Sequence, residues 1–253
     1  SSAASDVYKR QHHTFGHAKA LTAFLELPPV KATPNKTLPR DAEYGVKFFR
    51  DIRTWLVAEG PWRATFTGYD AEYKVKGTHP MGGAVSLLWH AQAGPVFAAT
   101  MNQYTLIEAP NMQSNSRKYL MSGTPRVEMV QYGTIYSNLD DLDTDITYTK
   151  EKDTHNFHVN THLVDIDQQT PIQGSIPLSM DYIYSKQGVT IKMDHCPYSA
   201  YMVLPVIASP SDVTEVGSKN MRIRKENGTL EISCVNGLSL IHISEPTRLQ
   251  LIS

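Results

Sequence analysis

The amino-acid sequence predicts a mainly β protein, an antiparallel β-sandwich that follows one terminal helix. Along residues 46–237, short apolar or alternating segments recur with turn residues between them, which is typical of a sandwich of about ten or more short strands. Residues 12–27 differ, because His13, His17, Ala20, Phe24 and Leu27 recur at helical spacing. Two prolines end this helix and a proline-rich linker follows.

The individual strands are placed by their turn residues and their apolar period. A strand is predicted over 63–69, and two nearly continuous apolar runs over 84–90 and 95–101 predict a buried hairpin. Alternating patterns predict strands within 157–163, 176–184 and 189–193. The dipeptide Asn227-Gly228 between two further apolar segments predicts a second hairpin.

Composition and charge exclude several classes of protein. The chain of 253 residues is 41% hydrophobic and carries 24 basic against 25 acidic residues, so it can form a core. It offers no basic stripe for a nucleic-acid partner. No stretch approaches the roughly 18 apolar residues of a membrane-spanning helix, so no membrane span is expected.

Both ends of the chain are expected to be non-native. Residues 1–11, SSAASDVYKRQ, and residues 238–253, which begin LSLIHISEPTR, back-translate to the two adapters of transposon-based sequencing libraries. The predicted native parts are then 12–45, the helix and linker, and 46–237, the sandwich. We expect these parts to be a window of a longer protein, read from a shotgun metagenome.

The helix carries the first candidate site. His13 and His17 are four residues apart, so both project from one helical face. That spacing suits a metal ion, two imidazoles against one sugar ring, or plain packing. The glutamate of a zinc-protease HExxH motif is missing. We therefore assign His13 and His17 as candidate catalytic residues without a metal.

Four further candidates lie in the predicted sandwich. On the strand 63–69, Arg63 and Tyr69 share a face and could neutralise a carboxylate and move a proton, or simply form an amphipathic strand. His79 precedes a proline in a turn, and His90 ends the next strand. Each could reach a cleft or be an ordinary surface or core histidine. We assign His79 as catalytic, and Arg63, Tyr69 and His90 as substrate-binding candidates.

No metal site is assigned. His158 and His162 share a strand face but are about 13 Å apart, too far to share one ion. The aspartates at 140, 141, 143 and 145 resemble half of a calcium loop but are interpreted as a solvated loop, because the glycine and closing glutamate are missing. Structural zinc or calcium therefore has no motif to support it. The two cysteines, Cys196 and Cys234, allow at most one disulfide.

Three stretches resemble the heparinase II/III-like group of polysaccharide lyases. They are GVKFFRDIRTWLVAEGPWRATFTGYD, GGAVSLLWHAQAGPVFAATMNQYTLIEAPNMQ and, in the helix, HHTFGHAKAL. The resemblance implies an α/α toroid followed by a β-sandwich. Residues 12–45 would then be the last helix of a truncated toroid and its linker, with the rest of the toroid upstream.

The resemblance also implies an activity. Such lyases cleave uronate-containing glycans by β-elimination, so the expected partner is an acidic polysaccharide and the expected location of the parent protein is periplasmic or secreted. The sandwich of that group lends a histidine, for which His79 and His90 are candidates, although the HxHxD phrase of several subfamilies is absent. Without its toroid this fragment is expected to be inactive.

Two other functions stay open. One is a non-catalytic carbohydrate-binding or scaffold sandwich, for which aromatic platforms would be expected. The other is a glycoside hydrolase or its accessory domain, which needs two opposed carboxylates. Asp70, Glu72 and Glu108 are available for that role, but no pattern pairs them.

Overall fold

A computed structural model describes residues 18–28, 38, 41–68, 80–99, 103–105, 120–194, 198–209 and 211–234. The chain divides into two compact units, Ser1–Ala42 and Glu43–Ser253. In the first unit, residues 18–26 form a helix, α1, which covers the described part of the predicted helix except Leu27. Its apolar side chains are solvent-exposed, with Leu21 at 64% and Phe24 at 71%. Within the described residues, no helix is long and apolar enough to cross a bilayer.

The second unit is built from antiparallel sheets. Its largest sheet, sheet A, has the order β1-β2-β3-β4-β5 and consists of Gly45–Phe49, Thr54–Glu59, Trp62–Thr67, Ala84–His90 and Gly94–Ala98. Every neighbouring pair of strands is antiparallel. Short turns connect these pairs except β3 and β4, whose connection includes residues 69–79, which lie outside the described residues. A 3₁₀ turn, Arg50–Ile52, links β1 to β2.

A second large sheet, sheet B, has the order β10-β11-β12-β13. It consists of Asp145–Glu151, Thr154–His162, Pro177–Tyr184 and Val189–Met193. Three smaller sheets complete the described strands. They are β14-β8-β9 (Ala200–Val203, Arg126–Gln131, Thr134–Ser137), β15-β16-β17 (Val213–Val216, Asn220–Lys225, Gly228–Ser233) and β6-β7 (Gln103–Thr105, Leu120–Ser122).

The two large sheets pack face to face through aromatic side chains. Along β3, Trp62, Ala64 and Phe66 are buried while the intervening residues are half-exposed, as the sequence WRATFT predicts for a strand with one core face. Phe66 stacks on Phe157 of β11 at 4.8 Å between ring centroids and contacts Tyr182 of β12 at 4.9 Å. The fold is therefore a mainly β, antiparallel sandwich, as predicted.

Two consecutive glycines allow the chain to cross the sandwich edge closely. Gly82 and Gly83 have φ values of +64° and +71°. A Cβ on Gly82 would lie 1.6 Å from the carbonyl oxygen of Asn138, and one on Gly83 would lie 2.2 Å from a methyl of Val159. The fully buried Asn138 donates to the Gly82 carbonyl at 2.8 Å and accepts from the Val127 N–H at 2.8 Å. This contact fixes the start of β4 against the end of β9.

Most predicted strands are confirmed, and the hairpins show where pattern reasoning fails. The first hairpin has β4 at the predicted Ala84–His90, but Leu87 is 38% exposed, so this strand is not fully buried as predicted. The second hairpin exists, but its loop residues are Glu226 and Asn227, and neither has a positive φ. Gly228 instead begins β17, where a Cβ would lie 3.5 Å from Gln92.

Candidate functional site

Three polar side chains form a hydrogen-bonded relay between the two large sheets. The hydroxyl of Tyr148 on β10 lies 2.7 Å from Nδ1 of His155 on β11. The Nε2 atom of the same imidazole lies 2.8 Å from a carboxylate oxygen of Glu59 at the end of β2. The His155 and Glu59 side chains are 4% and 13% exposed. The relay therefore joins sheet B to sheet A inside the sandwich.

When the imidazole is neutral and the Glu59 carboxylate is ionised, one arrangement of protons satisfies both hydrogen bonds. The Tyr148 hydroxyl donates to Nδ1, and the Nε2–H group donates to the Glu59 carboxylate. Desolvation by burial raises the pKa of Tyr148, and the nearby Glu59 charge raises it further. Tyr148 is thus kept as a neutral phenol, whose hydroxyl is aimed by the histidine rather than ionised by it.

The local sequence explains why these residues meet. Tyr148 pairs with Phe157 across β10 and β11, and His155 lies two residues before Phe157, so all three point into the sandwich. Glu59 is the last residue of β2, before a tight turn in which Gly60 has a φ of +50°. Gly45 has a φ of +74°, which favours glycine, and it lies beside the imidazole, because a Cβ there would make an ordinary 3.7 Å contact with the ring.

Charged residues surround the relay at this end of the sandwich. Glu43 forms an ion pair with Lys186 at 3.3 Å. The Gly60 N–H, which donates to it, and the Lys186 ammonium lower the pKa of Glu43. Arg63 donates through Nη1 to the carbonyls of Gly60 and Trp62 at 2.8 Å and 2.7 Å. Arg63 therefore anchors the β2–β3 turn.

An aromatic row runs from the relay to the surface. Tyr148 contacts Trp55 of β2 at 5.6 Å between ring centroids. Trp55 stacks on Phe48 of β1 at 4.2 Å, with the ring planes 21° apart. Phe48 is 45% exposed, whereas Trp55 and Tyr148 are half-buried. The row therefore presents aromatic ring surface to solvent at one edge of the sandwich.

Of the predicted site residues, the described part of the chain contains two. Arg63 lies on the face of β3 opposite the buried Trp62, Ala64 and Phe66, close to the relay end of the sandwich. His90 ends β4, and its ring packs edge-on against Trp62 at 4.5 Å. His13, His17, Tyr69 and His79 lie outside the described residues, so their assigned roles stay predictions.

His90 has a local structural task. Its Nδ1 atom accepts hydrogen bonds from the N–H groups of Gln92 and Ala93, at 3.2 Å and 3.3 Å, and so closes the β4–β5 turn. Desolvation by burial lowers the pKa of His90. A neutral ring suits this acceptor role. Its assignment as a substrate-binding residue stays a prediction.

The polar residues near His162 correct one prediction. Asp141 is 3% exposed and accepts hydrogen bonds from the Thr161 hydroxyl and the His162 N–H, both at 2.7 Å. It is therefore a buried bracing residue and not part of a solvated loop. The misassignment arose because an acidic run gives no sign of which member faces the adjacent strand. Its neighbours Asp143 and Asp145 are exposed.

His158 and His162 share the solvent-facing side of β11 and contact different aspartates. His158 Nδ1 lies 2.7 Å from Asp181, and His162 Nδ1 lies 3.3 Å from Asp141. Among the described residues, no group of three or more His, Cys, Asp or Glu side chains could hold a metal ion. Cys234 is a free thiol, and Cys196 lies outside the described residues.

A second buried polar cluster lies on the small sheet β14-β8-β9. Arg126 and Glu128 form an ion pair at 2.5 Å with side chains 6% and 4% exposed. Burial, together with the Glu128 carboxylate, raises the pKa of Tyr201 to about 12. Arg126 also donates to the carbonyl of Thr124 at 3.2 Å. This cluster is internally paired, which suits a structural role.

The relay residues were not among the predicted site residues. Glu59, His155 and Tyr148 come from three strands, and no short motif joins them. Two signals were present. His155 is in phase with the apolar residues Phe157 and Val159, which places a histidine on a core face, and Tyr148 is in phase with Ile146. Neither signal shows that a carboxylate from β2 would meet the histidine.

Comparison with known proteins adds a family to this geometry. The model of the ulvan lyase C-terminal domain matches residues 46–249. The chain is also 32% identical over 232 residues to the broad-specificity ulvan lyase of Formosa agariphila, a match that covers 87% of this chain and 36% of the relative. It thus spans about a third of that curated relative. No solved structure gives a significant match. The chain belongs to the ulvan lyase C-terminal domain family.

Proposed function

We propose that this chain is the β-sandwich part of a polysaccharide lyase that cleaves a uronate-containing glycan by β-elimination. The observation that carries the proposal is the similarity to an ulvan lyase across 87% of the chain. Ulvan is therefore the first candidate substrate. The residual alternatives, a hydrolase or a binding scaffold, have no comparable support.

The parent protein is proposed to place a helical, heparinase II/III-like toroid before this sandwich. The 36% coverage of the relative leaves room for such a domain. The exposed apolar residues of α1 support a helical partner, because Leu21, Phe24 and Leu25 are 64%, 71% and 81% exposed. The substrate cleft would lie between the two domains.

The chemistry of β-elimination requires three tasks. One group neutralises the uronate carboxylate, a base removes the C5 proton, and an acid protonates the leaving oxygen. We assign proton transfer to His13, His17 and His79, and substrate binding to Arg63, Tyr69 and His90. The relay residues His155 and Glu59 are too deeply buried to touch a substrate carbon. We therefore propose that they aim Tyr148 and stabilise the sandwich, and that the sandwich is inactive by itself.

The test uses the parent protein, recovered by sequencing across both ends of this chain. Its product would be incubated with a panel of polysaccharides that includes ulvan. The ultraviolet absorbance of unsaturated uronate ends and the number of new reducing ends would be followed together. A lyase gives both signals in equal number, and His13→Ala or His17→Ala should remove both. New reducing ends without absorbance would contradict elimination and indicate hydrolysis.

The same genomic sequence tests the proposed origin and location of the chain. We propose that residues 1–11 and 238–253 derive from adapters and that the parent is periplasmic or secreted. The family match includes residues 238–249, so the gene sequence has to decide whether these residues are native. We expect the gene of the parent protein to carry native codons in place of the adapter sequence. We also expect it to encode an upstream secretion signal. Adapter-encoded residues found in the intact gene would contradict the first proposal.

A further inference from the structure

The edge of the sandwich where Phe48 is exposed combines features of a sugar-binding site. β1 is the terminal strand of sheet A and β10 is the terminal strand of sheet B in the described chain. Both edges lie on the same side, because Trp55 contacts Phe48 of β1 and Tyr148 of β10. We call Phe48, Trp55, Tyr148 and Lys150 the edge site.

The aromatic part of the edge site offers a flat apolar surface. Phe48 and Trp55 stack with their planes only 21° apart, and Phe48 is 45% exposed. An aromatic face is electron-rich and attracts the polarised C–H groups on one face of a pyranose ring. Core aromatic residues of this sandwich are covered, as Phe66 and Phe157 show with 0% exposure. Phe48 departs from that pattern.

The polar part of the edge site supplies an oriented hydroxyl and a cation. The Tyr148 hydroxyl is fixed by His155 at 2.7 Å, and because it donates there, its oxygen can accept from a sugar hydroxyl. Lys150 follows two residues later on the same side of β10, about 7 Å along the strand. Its side chain is exposed and forms no ion pair with any described residue.

We propose that the edge site binds one acidic pyranose unit of a polysaccharide chain. The sugar ring would lie on the exposed face of Phe48, whose other face is covered by Trp55, with its carboxylate or sulfate directed to Lys150 and a hydroxyl to Tyr148. The choice of an acidic ligand follows from the Lys150 charge, which forms no ion pair with the described residues, and the choice of a polysaccharide rests on the proposed function. The site binds substrate and takes no part in the proton transfers.

The experiment measures binding of ulvan oligosaccharides to the full chain by titration calorimetry, with maltooligosaccharides as the neutral probe. Phe48→Ala should raise the Kd about tenfold, which corresponds to the loss of one aromatic contact. Lys150→Gln should weaken binding several-fold and reduce its dependence on salt. Tyr148→Phe keeps the ring and removes only the hydroxyl, so a smaller loss is expected.

Neighbouring residues provide matched controls. Phe49 is 46% exposed on the same strand but points to the opposite face, so Phe49→Ala should leave the Kd within about twofold. Lys152, in the adjacent turn, gives the control Lys152→Gln. Thermal unfolding would confirm that each variant is folded.

Three results would overturn the proposal. One is the absence of binding by the folded chain. Another is equal loss of affinity in the Phe48 and Phe49 variants, or in the Lys150 and Lys152 variants. Tight binding of maltooligosaccharides would likewise overturn the acidic specificity. Because this assay detects no bond cleavage, its failure is distinguishable from failure of the lyase assay on the parent protein.

Discussion

At the residue scale, burial decides what each polar side chain does. His90 lies next to Trp62 and accepts two backbone hydrogen bonds, whereas Tyr184 is fully buried with a hydroxyl that has no hydrogen-bond partner among the described residues. Desolvation lowers the pKa of the first and raises the pKa of the second well above its usual value. Both shifts have consequences for stability that can be measured.

His90 should make stability depend on pH in a defined direction. Its folded pKa lies below the unfolded value of about 6.5. As the pH falls below about 6.5, the unfolded chain takes up a proton before the folded chain does, so the free energy of unfolding decreases. His90→Asn keeps a hydrogen-bond acceptor for the turn, and it should remove the contribution of His90 to the pH dependence of the free energy of unfolding. Chemical unfolding at about pH 7.5 and about pH 5 would measure it. An identical slope in both proteins would contradict the assignment.

Tyr184→Phe should stabilise the fold. The substitution removes a buried hydroxyl that makes no hydrogen bond to the described residues and leaves the ring contact with Phe66 at 5.6 Å. We expect a gain of roughly 0.5 to 2 kcal/mol in the free energy of unfolding. Tyr182→Phe is the comparison. The Tyr182 hydroxyl donates to the Met180 sulfur at 3.7 Å, so its removal should increase the free energy of unfolding by less. A destabilised Tyr184→Phe variant would show that the hydroxyl is satisfied.

At the element scale, the strands themselves were easier to predict than the contacts between strands. Alternation along β3 and β11 fixed which side chains face the core, because a strand with one buried face has a period of two. The pairing that creates the relay could not be predicted, since Glu59 and His155 are 96 residues apart. Turn chemistry was also misleading. Asn227-Gly228 does not form a left-handed turn, while Tyr132 and Gly133, with φ of +50° and +81°, do.

The relay should contribute much more to stability than a surface pair on the same strand. His155→Gln would leave a buried carboxylate without its partner, and we expect a loss of about 3 kcal/mol. His158→Gln is the matched control. Its ion-pair partner is Asp181, both side chains are about 40% exposed, and a loss below about 1 kcal/mol is expected. Urea unfolding of both variants compares them. Equal losses would mean that the relay does not brace the two sheets.

At the scale of the whole molecule, the sequence predicted the architecture and the polysaccharide lyase family better than the site. Mainly β structure followed from strand periodicity, and a polysaccharide lyase family from local resemblance. The finer resemblance to heparinase II/III-like enzymes is a proposal, because the family that matches is the ulvan lyase C-terminal domain. The edge site escaped prediction since Phe48, Trp55 and Tyr148 meet only after two sheets pack.

We propose that this sandwich is an inactive part of a lyase that is active as a whole. The most direct measurement compares unsaturated uronate formation from ulvan by the parent protein and by this chain at equal molar concentration. We predict a steady rise in ultraviolet absorbance with the parent and none with the chain. A chain as active as its parent would contradict the proposal that the sandwich is inactive without the rest of the parent protein. A parent that releases reducing ends without absorbance would contradict the lyase itself.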